Sequence, residues 1–186
     1  MIASKYVISA AHCMYKKNNR GKITGGYQPE EIVISIGDHH LGRRDGEAEK
    51  FIHVKAITIH EEYNGQEADG WDIALLELVE ELDLDTYTPA CLAKSTDLTT
   101  FDNKTATIAG WGHIRRWGRV IETEVPHEVQ VTVAPKCHWI WNEIWQVDSN
   151  PSIMCLRTWR PNLRKGEEKG ACSVNQIKQK HFSDII

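Results

Sequence analysis

Near its start, the chain carries a short strand-forming run that ends in a histidine. Residues 6–8 combine one aromatic and two β-branched side chains, a composition that favours a strand. The small Ala10 and Ala11 let the backbone turn tightly after this run and bring His12 to the rim of a packed sheet. An imidazole there can serve as a general base, although a single histidine after a strand can also be a surface residue or a satisfied core residue.

Three further sequence strings follow this one along the chain. The four are Ala-Ala-His-Cys at residues 10–13, Asp-Ile-Ala-Leu-Leu-Glu-Leu at 72–78, Ala-Gly-Trp-Gly at 109–112 and Lys-Gly-Ala-Cys at 169–172. In this order they resemble motifs of the chymotrypsin-fold, trypsin-like serine endopeptidases. The resemblance implies an all-β fold with two six-stranded antiparallel β-barrels of the chymotrypsin type, each incomplete here. It also implies peptide-bond hydrolysis by Ser-His-Asp acyl transfer.

Two catalytic residues follow from this resemblance. It gives His12 the role of general base and Asp72 the role of the carboxylate that orients the imidazole. Asp72 directly precedes an apolar strand, where a carboxylate can be half-buried beside a neighbouring imidazole. A strand-entry aspartate can also satisfy turn amides, and Asp69 competes for the same role. Asp72 is favoured because it is the residue that directly precedes the Ile-Ala-Leu-Leu run.

The family pattern breaks after Cys172. In the resembled family the matching cysteine is followed by Gln/Asn-Gly-Asp-Ser-Gly-Gly, with the nucleophilic serine four residues after it. Gln176 stands at that position here, and Val174 stands where a glycine supplies an oxyanion-hole amide. An amide side chain cannot act as an alkoxide, and a β-branched residue disfavours the required turn. Ser173 lies three positions early, so its use as nucleophile would need a rebuilt loop.

We therefore expect this form of the chain to be inactive, with a polypeptide substrate or a protein ligand as its partner. The alternatives are a pseudoprotease that acts as a protein-binding module and a truncated gene product that does not fold. The resemblance places the base of the substrate pocket at Gly170. The walls of that pocket would come from strands beyond Ile186, so no substrate preference is predicted.

Composition excludes several other classes of protein. Hydrophobic residues make up 41% of the 186 and charged residues 26%, the ordinary globular range, but the length is slightly short for two complete barrels. A net charge of −4 and the lack of a Lys/Arg stripe argue against nucleic acid or an anionic membrane as a partner. No apolar run approaches the ~20 residues that span a bilayer.

The N-terminus opens directly into a strand pattern, so we expect no signal peptide in this chain. The resembled family is secreted, which implies an extracellular protein truncated upstream of Met1. The predicted domains are an N-terminal barrel lacking its first strands over residues 1–88, a partial C-terminal barrel over 89–172 and a divergent tail over 173–186. A polar segment with Pro89 suits the linker between the barrels.

Alternating apolar and polar residues locate the strands. They predict strands over residues 31–37, 51–60, 105–112, 129–133 and 152–156. On the strand over 51–60, strict alternation puts the side chains of Phe51, His53, Lys55, Ile57 and Ile59 on one face. Residues 14–31 are predicted to form an exposed loop, and residues 135–145 a short helix.

The five cysteines are widely spaced and form no CxxC pair, which argues against a zinc knuckle or a thioredoxin-like site. Because the number of cysteines is odd, at least one of them cannot form a disulfide with another cysteine of this chain. The resemblance implies a disulfide between Cys137 and Cys155, worth roughly 3 kcal/mol in the chain-entropy model. It places the partners of Cys13, Cys91 and Cys172 outside this chain.

We expect no cofactor and no metal. Several carboxylates share a loop and could gather around a hard cation such as Ca²⁺, which some members of the resembled family hold there: Asp38, Asp45, Glu47 and Glu49. His39, Arg43 and Arg44 in the same loop favour an ordinary solvated segment. The sequon that begins at Asn103 is consistent with a secretory route.

Overall fold

The computed structural model describes residues 1–44, 46, 49–66, 70–94, 97–112, 114–116, 119–121, 123–136 and 153–157. Helical residues in these ranges are confined to three short 3-10 turns, Ala11–Met14, Pro29–Glu31 and Leu98–Phe101, and the rest of the regular structure is β-strand. The all-β class predicted from the sequence is confirmed. None of the described helical segments is long and apolar enough to cross a membrane.

The described residues fall into two compact units, the first formed by residues 1–66 and 71–92. Its main sheet is antiparallel with strand order β1-β6-β5-β4. The strands of this unit are β1 (Tyr6–Ser9), β2 (Tyr15–Lys17), β3 (Ile23–Gly26), β4 (Val33–Ile36), β5 (Lys50–Ile59) and β6 (Ala74–Leu78). The predicted domain boundaries at residues 88 and 172 remain predictions.

One face of this sheet forms the core of the first unit. Along β6, alternate side chains are buried, with Leu76 and Leu78 fully inaccessible. They pack with Val7 from β1 and with Ile52 and Val54 from β5. Each such side chain contributes about 1.5–3 kcal/mol when it is removed from water, so this face holds the sheet together.

The strict alternation predicted along β5 is wrong in its second half. The pairing with β6 shifts register between Val54 and Ala56, which marks a β-bulge. Because a bulge inserts one residue, it exchanges the faces of the residues that follow. Ile57 and Ile59 therefore pack against the core, whereas Phe51 remains 59% exposed.

The exposed loop predicted over residues 14–31 is also wrong, because β2 and β3 pair there as a hairpin. The Asn18 side chain accepts hydrogen bonds from the backbone of Arg20 and of Lys22, each at 3.0 Å. Gly21 takes a positive φ of 76° in the same turn. The polar composition reflects exposure of this hairpin and not a lack of strand structure.

The second unit contains the described residues from 93 onward. Its sheet has strand order β11-β10-β7, with β7 (Thr105–Gly110), β10 (His127–Ala134) and β11 (Cys155–Arg157), and β8 (Ile114–Arg116) pairs with β9 (Arg119–Ile121). Val131, Val133 and Leu156 form a small buried cluster. Most of the helix predicted over residues 135–145 lies outside the described residues.

Candidate active site

The first site residue, His12, stands on a short turn after β1. Ala10 is still extended, and the 3-10 turn Ala11–Met14 begins after it. Ala11 is fully buried, so only a small side chain fits where the chain bends. The turn leaves His12 with 5% of its surface exposed, at the end of the strand and beside the sheet.

The second site residue, Asp72, reaches the same place from the other direction. β1 and β6 are antiparallel, and their register pairs Ser9 with Ala74. The end of β1 therefore lies beside the beginning of β6. His12 follows Ser9 by one turn and Asp72 precedes Ala74, so a single strand pairing brings together residues 60 positions apart in sequence.

Asp72 holds His12 through both carboxylate oxygens. The Oδ2 atom lies 2.5 Å from Nδ1 of the imidazole, and Oδ1 accepts the backbone N–H of His12 at 2.8 Å. Because a carboxylate only accepts, Nδ1 carries a proton, and in the neutral form of the ring the lone pair lies on Nε2. The side chains are 4% and 10% exposed, so the pair is shielded from water.

The environment favours the charged form of His12. Burial lowers the pKa of the imidazole, whereas its hydrogen bonds to Asp72 and Cys13 and the charge of Asp72 raise it. The hydrogen bonds and charges prevail, and the pKa of His12 lies above its ordinary value. Asp72 thus both orients the ring and stabilises the imidazolium.

The other ring nitrogen faces a thiol. The Sγ atom of Cys13 lies 3.4 Å from Nε2 of His12, within hydrogen-bonding distance for sulfur. His12 and Cys13 are adjacent in the sequence motif, but the motif did not predict a contact between their side chains. The adjacent His-Cys dipeptide at a strand end is the signal that could have suggested it.

A second feature missed by the sequence prediction lies directly before Asp72. Trp71 has a positive φ of 58°, and its ring stacks on that of His60 with a centroid distance of 4.7 Å. A bulky residue at positive φ is strained, which typically costs about 1–3 kcal/mol. The Ile73 backbone N–H donates to the Trp71 carbonyl at 2.7 Å, so a tight turn centres on Asp72.

Several predicted site residues lie outside the described residues, namely Asp69, Cys137, Gly170, Cys172 and Gln176. Their assignments therefore stay predictions. Two of the candidate calcium ligands, Asp45 and Glu47, also lie outside the described residues. Within the described ranges, no group of three or more His, Cys, Asp or Glu side chains is arranged to hold a metal ion.

The sequence of this chain is similar to those of known proteins. Residues 1–158 match the trypsin family. Human (Homo sapiens) chymotrypsin-like elastase family member 1 is 30% identical over 125 residues, which are 66% of this chain and 43% of that protein. Venom serine protease 34 of Apis mellifera is 30% identical over 118 residues, 61% of this chain and 27% of that protein. Serine protease SSP1 of Scolopendra subspinipes is 30% identical over 138 residues, 73% of this chain and 44% of that protein.

This chain belongs to the trypsin family of serine proteases. The match includes both His12 and Asp72 and ends before Gly170 and Gln176. The chain spans less than half the length of the curated relatives that it matches.

Proposed function

We propose that the lineage of this chain hydrolyses peptide bonds, with His12 as the general base and Asp72 as the group that orients it. The two-oxygen contact of Asp72 with the ring and backbone of His12 carries this proposal. In such a site Nε2 takes the proton of a hydroxyl nucleophile and passes it to the leaving amine. The carboxylate stabilises the imidazolium that forms between these steps.

We further propose that the 186-residue chain itself does not hydrolyse peptides. In the sequence, Gln176 occupies the expected nucleophile position and Val174 the expected oxyanion-hole position. The contact between Nε2 of His12 and the Cys13 thiol also supports inactivity. It occupies the nitrogen that would receive the hydroxyl proton.

The substrates of an active form would be polypeptides, and its location extracellular. The relatives include a chymotrypsin-like elastase and a venom serine protease, which supports both statements by analogy. Asn103 lies in an exposed turn with a positive φ of 59°, where its sequon is open to glycosylation. Cys155 is buried and disulfide-bonded, and its proposed partner is Cys137, as the resemblance to the family implies.

The experiment is labelling of the purified chain with a fluorophosphonate probe, together with assays on peptide substrates. We expect neither labelling nor hydrolysis. Gln176→Ser alone should not restore activity, because Val174 still occupies the oxyanion position. A chimera with complete terminal segments from an active relative should hydrolyse peptides, and His12→Ala in that chimera should reduce the rate by several orders of magnitude.

The exposed His53 provides the matched control, because His53→Ala in the chimera should leave the rate unchanged. Stoichiometric labelling of the unmodified chain at Ser173 would contradict the proposal of inactivity. A cooperative thermal transition without activity would favour the alternative of a pseudoprotease that binds other proteins. The lack of such a transition would favour a gene product that does not fold.

A further inference from the structure

One residue at the end of a neighbouring strand contacts the chain on both sides of Asp72. His60 directly follows β5, and its backbone N–H donates to the carbonyl of Ile73 at 3.1 Å. Its imidazole stacks on the ring of Trp71, with centroids 4.7 Å apart and an angle of 21° between the ring planes. Trp71 and Ile73 are the two sequence neighbours of Asp72. His60 therefore holds the residue before the carboxylate through its side chain and the residue after it through its backbone.

The imidazole of His60 is itself fixed in orientation. The backbone N–H of Glu62 donates to its Nδ1 atom at 3.2 Å, and the backbone N–H of Tyr63 donates to the His60 carbonyl at 3.0 Å. Because Nδ1 accepts a hydrogen bond, the proton of the neutral ring lies on Nε2. The turn after β5 thus holds this ring with its face toward Trp71.

The backbone of Trp71 needs such support. Its φ of 58° lies in the left-handed region, which is unfavourable for a bulky side chain. Strained conformations of this kind persist only where the surrounding structure over-determines them, and they are concentrated at functional sites. The stacked ring of His60 supplies a contact of this kind. The turn that carries Asp72 to the start of β6 is therefore held by packing between two side chains.

We propose that His60 and Trp71 are positioning residues, which fix the turn at Asp72 so that both of its carboxylate oxygens reach His12. The positioning role rests on the proposed function of His12 as the general base. Oδ1 accepts the backbone N–H of His12 at 2.8 Å, and Oδ2 lies 2.5 Å from Nδ1 of its ring. Because both contacts start from one carboxylate, a rotation of the turn would break one of them. A misplacement of about 1 Å can cost roughly 100-fold in rate.

A purely structural role for the stacked rings makes a different prediction. Loss of the stack would then lower the free energy of unfolding and leave the surroundings of His12 unchanged in the folded chain. A positioning role changes the folded state itself, because the carboxylate would meet the imidazole in a looser geometry. Burial lowers the pKa of His12, whereas its hydrogen bond to Asp72 and the charge of that residue raise it. The titration of His12 therefore reports on this geometry.

The test is an NMR titration of His12 in the complete chain and in single variants. Trp71→Gly removes the indole but keeps a positive φ accessible, so it separates the ring contact from the backbone conformation. His60→Ala removes the other ring and keeps the backbone N–H that donates to Ile73. We expect each to lower the midpoint of His12 by about 0.5–1 pH unit, because the hydrogen bond to the charged ring is weakened. Trp71→Phe retains an aromatic face and should retain the midpoint.

Two control variants show what a structural role would do. Ile34→Ala removes a buried side chain from β4, which lies at the opposite edge of the sheet order from β1. It should lower the urea midpoint of unfolding and leave the titration of His12 unchanged. His53→Ala, at an exposed position of β5, should change neither quantity. Circular dichroism confirms that each variant keeps its β-structure.

The chimera with complete terminal segments gives a second readout. Trp71→Gly and His60→Ala should each lower its kcat by roughly 10- to 100-fold and leave KM nearly unchanged, because orientation of the base acts on the chemical step. Trp71→Phe should retain most of kcat. A raised KM with an unchanged kcat would assign the stacked pair to substrate binding and would overturn the positioning role.

The unsubstituted chain provides a test that needs no variant. Nuclear Overhauser contacts between the rings of His60 and Trp71 are expected, and their absence would overturn the proposal. An unchanged midpoint of His12 in Trp71→Gly and His60→Ala would also overturn it, and either variant suffices where the other does not fold. Failure of the proposed function has a different signature, namely a chimera that does not hydrolyse peptides although all four residues are intact.

Discussion

At the scale of single residues, His12 has a contact at each ring nitrogen. Nδ1 contacts the Asp72 carboxylate and Nε2 contacts the Cys13 sulfur. The first contact belongs to the general-base role that we propose for the lineage. The second occupies the nitrogen that would receive the proton of a hydroxyl nucleophile. Asp72 stabilises the imidazolium that forms on this ring.

The buried pair predicts how the stability of the first unit depends on pH. The pKa of folded His12 is raised above its unfolded value, near 6.5, by hydrogen bonds and charge that overcome burial. The pair's contribution to the free energy of unfolding is therefore fully present below about pH 6.5 and is lost as pH rises through the folded pKa. Urea unfolding at several pH values measures the free energy of unfolding of the unsubstituted chain and of Asp72→Asn. The difference between the two values should shrink as pH rises.

His53→Ala is the control for this series. Its free energy of unfolding should differ from that of the unsubstituted chain by an amount that does not shrink as pH rises. An NMR titration of His12 gives a direct measurement, with a midpoint above the ordinary value that Asp72→Asn lowers. A midpoint at or below the ordinary histidine value would contradict the assigned environment.

The sequence predicted the two polar residues of the pair but not their surroundings. His12 and Asp72 could be proposed because each stands beside an apolar strand in a recognisable string. The contact from Nε2 to Cys13 depends on side-chain rotamers, and the positive φ of Trp71 depends on tertiary packing against His60. The adjacent His-Cys dipeptide is a sequence signal for the first feature, whereas the second has no local pattern in the sequence.

At the scale of elements, β6 is the strand whose packing should matter most. Leu76 is fully buried at its centre, between β1 and β5. Leu76→Ala should lower the free energy of unfolding by about 2–5 kcal/mol, because it removes apolar contacts and leaves a cavity. Urea denaturation of the chain measures this change in the free energy of unfolding.

Val79→Ala is the matched control, since Val79 follows β6 directly and is 52% exposed. Its effect should stay within about 0.5 kcal/mol. Equal effects of the two substitutions would show that the assigned faces of β6 are wrong.

Strands with strong alternation were predictable, and the irregular ones were not. β4 shows its buried Ile34 and Ile36 by alternation in the sequence, whereas the β-bulge in β5 leaves no compositional mark. The hairpin of β2 and β3 is polar because it is exposed, so its composition resembles that of a loop. Strand pairing there depends on the Asn18 turn, which a pattern of hydrophobicity does not include.

At the scale of the whole molecule, the cysteines provide a test of the strand placement. A non-reducing peptide map of material secreted from cells should join Cys137 to Cys155 and recover Cys13, Cys91 and Cys172 either as thiols or in intermolecular disulfides. Reduction should then destabilise the second unit by roughly 3 kcal/mol, as expected for a loop of that length. A bridge between Cys13 and Cys91 would contradict the placement of both.

The strand pairing that brings His12 to Asp72 also has a kinetic meaning. β4, β5 and β6 pair with near neighbours in the sequence, but the contact between His12 and Asp72 spans 60 residues. Closing a flexible loop of that length costs roughly 3–4 kcal/mol of chain entropy before any contact compensates for it. Non-local closure of this kind slows folding, so β1 is expected to dock after the sheet of β4 to β6 has formed. A chain stalled before that step would contain most of its core but not the contact between His12 and Asp72.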